Sequence, residues 1–332
     1  RQRQMCIRDS PMDAAALARR LGLQEAALRC VLDSAVSMRL LNKESDHRYA
    51  LGVLAHPVLA HSGIRAMVEH NQLLYKDLAE PERFLQEGVQ GHMAAYWPYA
   101  QEEGAEPAMR PQARDQSVAY SGLMDASQNF VVSEVLDSYP FDRHRCVLDI
   151  GCGMGRFGGE LAQRFPMLRI QLLDLPHVAA LAQDRLRAAG LGPQLTFWGR
   201  SFLDGPLPQG ADLVTLIRVA HDHSDGVVQQ LLGLIWQALP VGGKLLLAEP
   251  MVLADGGSER SARECDPYFH FYMRAMGRGK LRSLEELTRL LTSAGFFAVR
   301  RVRTAMPIHA QMLVATKTSV YPDMTSSGVN KD

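Results

Sequence analysis

Near the middle of the chain, His221, Asp222, His223, Ser224 and Asp225 bring two imidazoles and two carboxylates into five consecutive residues. Two chemistries suit that spacing. His-x-His-x-Asp opens the ligand set of several metal-dependent hydrolases, whereas a single histidine beside an acid can take a proton as a general base. The metal reading needs further ligands at fixed spacing, and Gly226 stands where the His-x-His-x-Asp-His pattern has its next histidine. Ser224 and Asp225 also have a plainer use, as the cap of a helix beginning near Gly226. Five residues do not decide between these uses, so the surrounding chain has to.

A second group lies upstream. The stretch "LDIGCGMGRFG" sets Gly151, Gly153 and Gly155 between an apolar strand and a helix. Glycines there allow a tight turn and a close backbone approach to a ligand at the carboxyl edge of an open sheet. Asp174 ends the next strand, about 20 residues on, where an acid commonly takes the ribose hydroxyls of a nucleotide cofactor. The spacing is GxGxG and not the GxGxxG of dinucleotide binders, which favours a compact cofactor. His221 follows "DLVTLIRV" at the same edge, so a base and a cofactor can face one pocket.

Such residues need a parallel sheet to align them. Strands are predicted at "CVLDIGCG", "RIQLLDL", "QLTFWGR", "DLVTLIRV" and "KLLLAEP", with helices between them, and "FFAVRRVRT" and "HAQMLVATK" form a final strand pair. The fold class is therefore α/β, a mainly parallel sheet with helices on both faces and an antiparallel last strand. Ahead of it, "DAAALARRLGL", "QEAALRCVLDSAVSMRLL" and "NKESDHRYALG" read as helix, helix and wing, a winged-helix arrangement. DNA binding is disfavoured there, because Glu25 and Asp33 stand against Arg29 and Arg39 on the second helix. The run "GIRAMVEHNQLLYKDLAEPERFLQEG" reads as one helix, and the Pro-rich "YWPYAQEEGAEPAMRPQ" as a connection. The expected domains are a helical domain over 11–112 and an α/β domain over 113–318, followed by a disordered tail over 319–332. The first ten residues, "RQRQMCIRDS", resemble adapter read-through and are set aside, so a truncated N-terminus is expected.

Lys plus Arg and Asp plus Glu balance at 36 each, so no overall basic field argues for nucleic acid or an anionic membrane. The five cysteines are scattered without a CxxC pair, which suits free thiols in a reducing cytoplasm. No apolar run reaches the roughly 18 residues of a spanning helix. A cytoplasmic protein with at most peripheral membrane contact is expected.

Over residues 146–250 the chain resembles the class I S-adenosylmethionine-dependent methyltransferases, whose first strand and loop read "LDIGCGxG". The winged helix and "HDHSD" narrow this to the plant-caffeate-type O-methyltransferases, in which that segment usually reads "HDWSD". It is most similar to the bacterial carotenoid 1-hydroxy (hydroxyneurosporene) O-methyltransferases, through "MVEHNQLLYKDLAEPERFL", "YWPYA", "LIRVAHDHSD" and "DPYFHFYMRAMGRGKLRS", from Pro11 to Lys317. The resemblance implies S-adenosyl-L-methionine as cofactor, methyl transfer to a hydroxyl of a small apolar substrate, and a homodimer built through N-terminal helices. It implies His221 as base, with Glu249 or Asp222 orienting it. Around the cofactor it puts Asp149, Gly151, Gly153, Gly155, Asp174, Leu175, Ser201, Phe202 and Arg218. Three positions depart from the family: Ser201 replaces an acid, His223 replaces the Trp, and Leu281 replaces a second orienting acid.

Phe269, Tyr272, Met273 and Met276 follow i, i+3, i+4, i+7 spacing on a helix that "DP" is expected to start. Such a stripe is core or pocket wall. With Trp97, Tyr120 and Met124 it would suit a long polyene. Arg274, Arg278 and Lys280 read as a solvated face. A tertiary alcohol is far less acidic than a phenol, which ionises near pH ~10, so proton removal must accompany methyl transfer. The rivals are a phenolic metabolite as substrate and a non-catalytic regulatory winged-helix protein.

Overall fold

A computed structural model describes residues 10–86, 91–96, 122–252, 260–277, 279–306, 310–317 and 319. The expectations for the N-terminal stretch 1–9, for Trp97, Tyr120 and Arg278, and for the tail beyond 319 lie outside the described residues. The chain divides into two compact units, Arg1–Glu69 and His70–Asp332.

In the first unit, α1 (Ala14–Leu21) and α2 (Glu25–Ser37) precede a hairpin of β1 (Leu41–Lys43) and β2 (Tyr49–Leu51). Asp13 caps α1 by accepting from Ala16 N at 2.7 Å, and Gly22 closes it in the left-handed region, which a Cβ would disfavour. Leu17, Ala18, Leu28, Leu32 and Tyr49 form its core. On α2, Arg29 pairs with Glu25 at 2.6 Å, and Lys43 reaches Asp33 at 3.2 Å. A short α3 (Ala55–Ala60) leads into α4 (Ser62–Leu78), which runs on past the division between the units.

The helix expected over "GIRAMVEHNQLLYKDLAEPERFLQEG" is two helices. α4 stops at Leu78 and α5 (Pro81–Leu85) starts on Pro81, because the proline ring excludes helical geometry from the residue before it. After α6 (His92–Tyr96) come α7 (residues 122–127) and α8 (Asn129–Ser138). The division after Glu69 groups residues 70–96 with the second unit, although the expected boundary at 112 joined them to the first. The reason is burial: Leu74 and Met93 share an apolar cluster with Phe269, Tyr272, Met273 and Met276.

The rest of the second unit alternates strand and helix: β3 (Cys146–Ile150), α9 (Arg156–Arg164), β4 (Arg169–Asp174), α10 (Pro176–Ala188), β5 (Leu195–Gly199) and β6 (Leu213–Ile217). Then follow α11 (Asp225–Ala238), β7 (Lys244–Glu249), β8 (Met251–Val252), α12 (Arg260–Met276), β9 (Arg282–Ser283), α13 (Leu284–Ser293), β10 (Phe296–Val302) and β11 (Gln311–Lys317). The seven-stranded sheet has the order β10-β11-β7-β6-β3-β4-β5, parallel except where β11 pairs with β7 and β10. The α/β reading therefore holds. One expected boundary does not: α12 begins at Arg260 and carries Pro267 inside it, so "DP" does not start that helix. Burial of the following stripe outweighs the missing backbone donor.

Strand alternation sends Leu148, Ile150, Val214, Leu216, Leu245 and Leu247 to one face, under α11 and α13. Val147, Ile170, Leu172, Leu213 and Leu246 go to the other, under α8 and α9. α9 lies so close to the sheet that a Cβ on Gly158 would stand 2.4 Å from Leu172 Cδ2. Gly158→Ala gains up to about 1 kcal/mol in helix propensity but crowds a packed core at about 1–3 kcal/mol. We expect net destabilisation, read as a lower urea midpoint with unchanged slope; a midpoint at or above that of the parent protein would refute the close fit.

Candidate active site

Five strands lead toward one carboxyl edge, and the chemistry gathers in the loops after β3, β4, β6 and β7. The loop after β3 turns on Gly151, Gly153 and Gly155, with φ of 71°, 55° and 72°. Each has its own reason to lack a side chain. A Cβ on Gly151 would meet Val219 Cγ2 at 2.7 Å and one on Gly155 would meet Leu186 Cδ1 at 2.8 Å, whereas at Gly153 nothing stands within 4 Å. Gly153 thus offers bare backbone to open space. Asp174, ending β4, accepts from Gly153 N and from Leu175 N, both at 2.7 Å. Desolvation pushes its carboxyl up to about 6, against the pull of those two N–H groups. A carboxylate has about four lone-pair sites, so acceptor capacity remains for a ligand's hydroxyls.

The other residues expected at this edge divide. Asp149 is buried within β3, accepts from the Thr215 hydroxyl at 2.7 Å, and burial pushes it up to about 7. Ser201 stands half-buried after β5 and accepts from Leu203 N at 3.2 Å. Phe202 packs edge-on against His223 with ring centroids 5.3 Å apart. Arg218 has a positive φ of 57°, a strained geometry for a residue with a Cβ, just where β6 gives way to the His221 turn. Burial pulls His223 below the ordinary imidazole range.

His221 lies on a 3-10 turn, Ala220–Asp222, directly after β6. Its Nδ1 is 2.6 Å from Glu249 Oε2 and its Nε2 is 3.3 Å from Asp222 Oδ1. Glu249 is 2% exposed at the end of β7, and such burial of a bare carboxylate costs several kcal/mol unless donors surround it. They do: Val219 N and Ala220 N donate to Oε1 at 2.9 and 2.8 Å, and His221 N to Oε2 at 3.4 Å. Burial raises the Glu249 carboxyl, but His221 and these N–H groups outweigh it and hold it below the ordinary range. An ionised Glu249 can only accept, so Nδ1 carries the hydrogen and Nε2 is left for a substrate proton. Burial lowers the His221 imidazole, yet the charges of Asp222 and Glu249 outweigh that and hold it above its ordinary value.

Of the two candidate orienters, Glu249 meets Nδ1 and Asp222 faces Nε2. Leu281 stands buried in the apolar cluster, with no second orienting acid there. Ser224 caps α11 by accepting from Val227 N. Lys280 is not merely a solvated cation, since it pairs with Asp225 at 3.3 Å and Glu286 at 2.9 Å. Arg274 donates to the carbonyls of Leu85 and Gln86. Among the described residues no group of three His, Cys, Asp or Glu could hold a metal ion, and no helix is long and apolar enough to cross a membrane.

Phe269, Tyr272, Met273 and Met276 are buried together, with Met124 of α7 packed against them. Inside this apolar cluster Tyr272 OH meets His70 Nε2 at 3.1 Å, and burial pushes the phenol up, so it stays neutral. α7 is fixed to the glycine loop by Asp125, which takes Arg156 and Arg185; Arg185 also donates to Met154 O at 3.2 Å. Sequence reasoning missed that link, and missed the buried Arg282, for which spacing gave no signal.

The O-methyltransferase domain family matches the chain over residues 75–297. The demethylspheroidene O-methyltransferase of Cereibacter sphaeroides is 36% identical over 316 residues, covering 95% of this chain and 81% of that protein. The protein of that name from Rhodobacter capsulatus is 37% identical over 305 residues, covering 91% and 72%. Human N-acetylserotonin methyltransferase, solved in complex with SAM, matches with a TM-score of 0.71 at 21% identity, over 94% of this chain and 88% of that one. PigF with SAH matches with a TM-score of 0.67 at 24% identity, over 94% and 91%.

The linked pair has a defined pH window. Glu249 contributes stability that is present above its unfolded value of 4.5 and lost as pH falls through its lower folded value. His221 contributes stability that is present below 6.5 and lost as pH rises through its raised folded value. In Glu249→Gln one of the two raising charges is gone, so NMR titration should find the His221 imidazole at a lower pKa than in the parent protein. An unchanged titration would mean that Asp222 alone holds it up.

Proposed function

Because the chain belongs to the O-methyltransferase domain family and is an S-adenosylmethionine-dependent O-methyltransferase, we propose that its acceptor is the tertiary 1-hydroxy group of an acyclic, hydroxyneurosporene-type carotenoid, with His221 as general base. The observation that carries the base assignment is the 2.6 Å contact between His221 Nδ1 and a buried, ionised Glu249. The substrate assignment is supported by the two bacterial relatives named for demethylspheroidene and by the buried stripe of Phe269, Tyr272, Met273 and Met276 beside Met124.

The residues present fit the cofactor. Gly153 leaves open space where a side chain would stand, and Asp174 keeps acceptor capacity beside it. On this reading Gly151, Gly153 and Gly155 take the methionine end, Asp174 and Leu175 the ribose, and Ser201 with Phe202 the adenine. Asp149 and Arg218 support that edge from behind. The cofactor supplies an electrophilic methyl group on a cationic sulfur. His221 Nε2 takes the hydroxyl proton as the new carbon–oxygen bond forms, since an alcohol this weakly acidic cannot be ionised beforehand. Glu249 holds the ring in one tautomer and stabilises the imidazolium, and the apolar wall excludes water. Asp222, at 3.3 Å from Nε2, receives the charged ring once it is protonated.

The same reading makes the first unit a winged-helix dimerisation module and the protein a cytoplasmic homodimer with at most peripheral membrane contact. The exposed Leu23, Val31, Val53, Leu54 and Val68 of that unit support a surface for a second copy.

The test is mass spectrometry of products formed from a labelled methyl donor and a panel of hydroxycarotenoids and phenols. A methylated tertiary carotenoid alcohol is expected; transfer to phenols alone would overturn the substrate. His221→Ala should lower turnover by about 10²–10⁴-fold and leave cofactor affinity within a few-fold. Asp174 must be ionised to accept two hydroxyl donors, so calorimetric cofactor affinity should fall as pH drops through about 6. Asp174→Ala should weaken binding and abolish that dependence.

A further inference from the structure

His221 can act as a base only if its turn is held still, and Glu249 holds just one side of it. The backbone donors of Val219, Ala220 and His221 point to Glu249. Two carbonyls of the same turn, those of Ala220 and His223, accept from Arg282. Its Nη1 donates to Ala220 O and its Nη2 to His223 O, both at 2.8 Å, so one planar fork spans the peptides on either side of His221–His223, and Nη1 also donates to Lys280 O at 3.3 Å. Its Nε donates to Asp225 Oδ1 at 2.7 Å, at the start of α11. Lys280 N donates to a third carbonyl of the turn, His221 O, at 2.8 Å. That approach leaves no room for a side chain at Gly279, whose Cβ would stand 2.3 Å from the same oxygen.

The guanidinium belongs to a residue only 2% exposed, yet its one carboxylate partner is half-exposed Asp225. Burying so large a cation for that pair alone would be a poor exchange, because its other donors would go unmet. They are met by the carbonyls of the His221 turn. β9 pairs with β8 in the register Met251↔Arg282, two residues beyond Glu249. That pairing ties Arg282 to the segment just after β7, whose last residue is Glu249.

We propose that Arg282 is a positioning residue, which acts through the peptide backbone to hold His221 in its working geometry. This rests on the reading of His221 as base. A lysine cannot replace it, because an ammonium offers a point charge and not a fork that spans two carbonyls.

The experiment is a double-mutant cycle on the full chain, with Arg282→Lys, His221→Ala and the pair. Misplacement of a reacting group by about 1 Å costs roughly 10²-fold. Arg282→Lys should accordingly lower kcat about 10–100-fold, with KM and cofactor affinity within about 3-fold. In the His221→Ala background the same change should cost less than about 3-fold, since the residue acts through the imidazole. Independently of turnover, the Nδ1 proton resonance of His221, sharp and downfield in the parent protein, should broaden or vanish in Arg282→Lys. Equal losses in both backgrounds, or a kcat loss with an unchanged His221 resonance, would overturn the proposal. Should His221→Ala itself turn over at the parental rate, it is the base assignment that fails. If Arg282→Lys does not fold, Asp225→Ala removes the exposed anchor of the guanidinium together with the half-exposed ion pair to Lys280. A several-fold fall in kcat with a broadened resonance supports the proposal, and no change in either refutes it.

Discussion

Everything at the carboxyl edge depends on a carboxylate that has been taken out of water. Glu249 is stable there only because three backbone N–H groups and the His221 ring converge on it. That requirement orders the turn after β6. It also explains why β6 and β7 must be parallel neighbours, with Ile217 beside Ala248, so that one strand's last residue can reach the loop of the next. A charge that costs several kcal/mol to bury acts as a geometric constraint, since any shift of the turn exposes an unmet acceptor.

The turn is also pressed against the glycine loop. Val219 occupies the space that a side chain on Gly151 would need, so the base and the open backbone of Gly153 lie on adjacent segments of one edge. A glycine there serves the approach of two protein loops as much as the approach of a ligand. Asp174 ties the loop from the other side through Gly153 N, and Asp125 ties it to α7 through Arg156 and Arg185. The apolar cluster around Tyr272 then meets the cofactor loop through Met124 and Asp125, consecutive residues of one helix. The apolar cluster is thereby connected by bonds to the loop at Met154.

The strands, their order in the chain, the glycine loop, Asp174 and His221 were legible from residue type and spacing. Continuous apolar runs such as "LVTLI" have few other uses, and a histidine directly after one can only lie at the sheet edge. Legibility failed where local and tertiary preferences disagree. Pro267 looks like a helix start and sits inside α12, because burial of the stripe after it outweighs the local penalty. Residues 70–96 look like a continuation of the first helices and belong with the second unit, through Leu74 and Met93.

What the sequence by itself determined is the inventory: a histidine, two acids that could orient it, three glycines that must turn, and a parallel sheet to align them. Which acid meets Nδ1 of His221 was open between Glu249 and Asp222, and only the tertiary structure decided it. Asp222 is the nearer in sequence but reaches Nε2, whereas Glu249, 28 residues away, meets Nδ1 and three N–H groups. Arg282 had no claim from spacing at all, because its partners are the distant Asp225 and backbone carbonyls, and a carbonyl carries no signature in the amino-acid sequence.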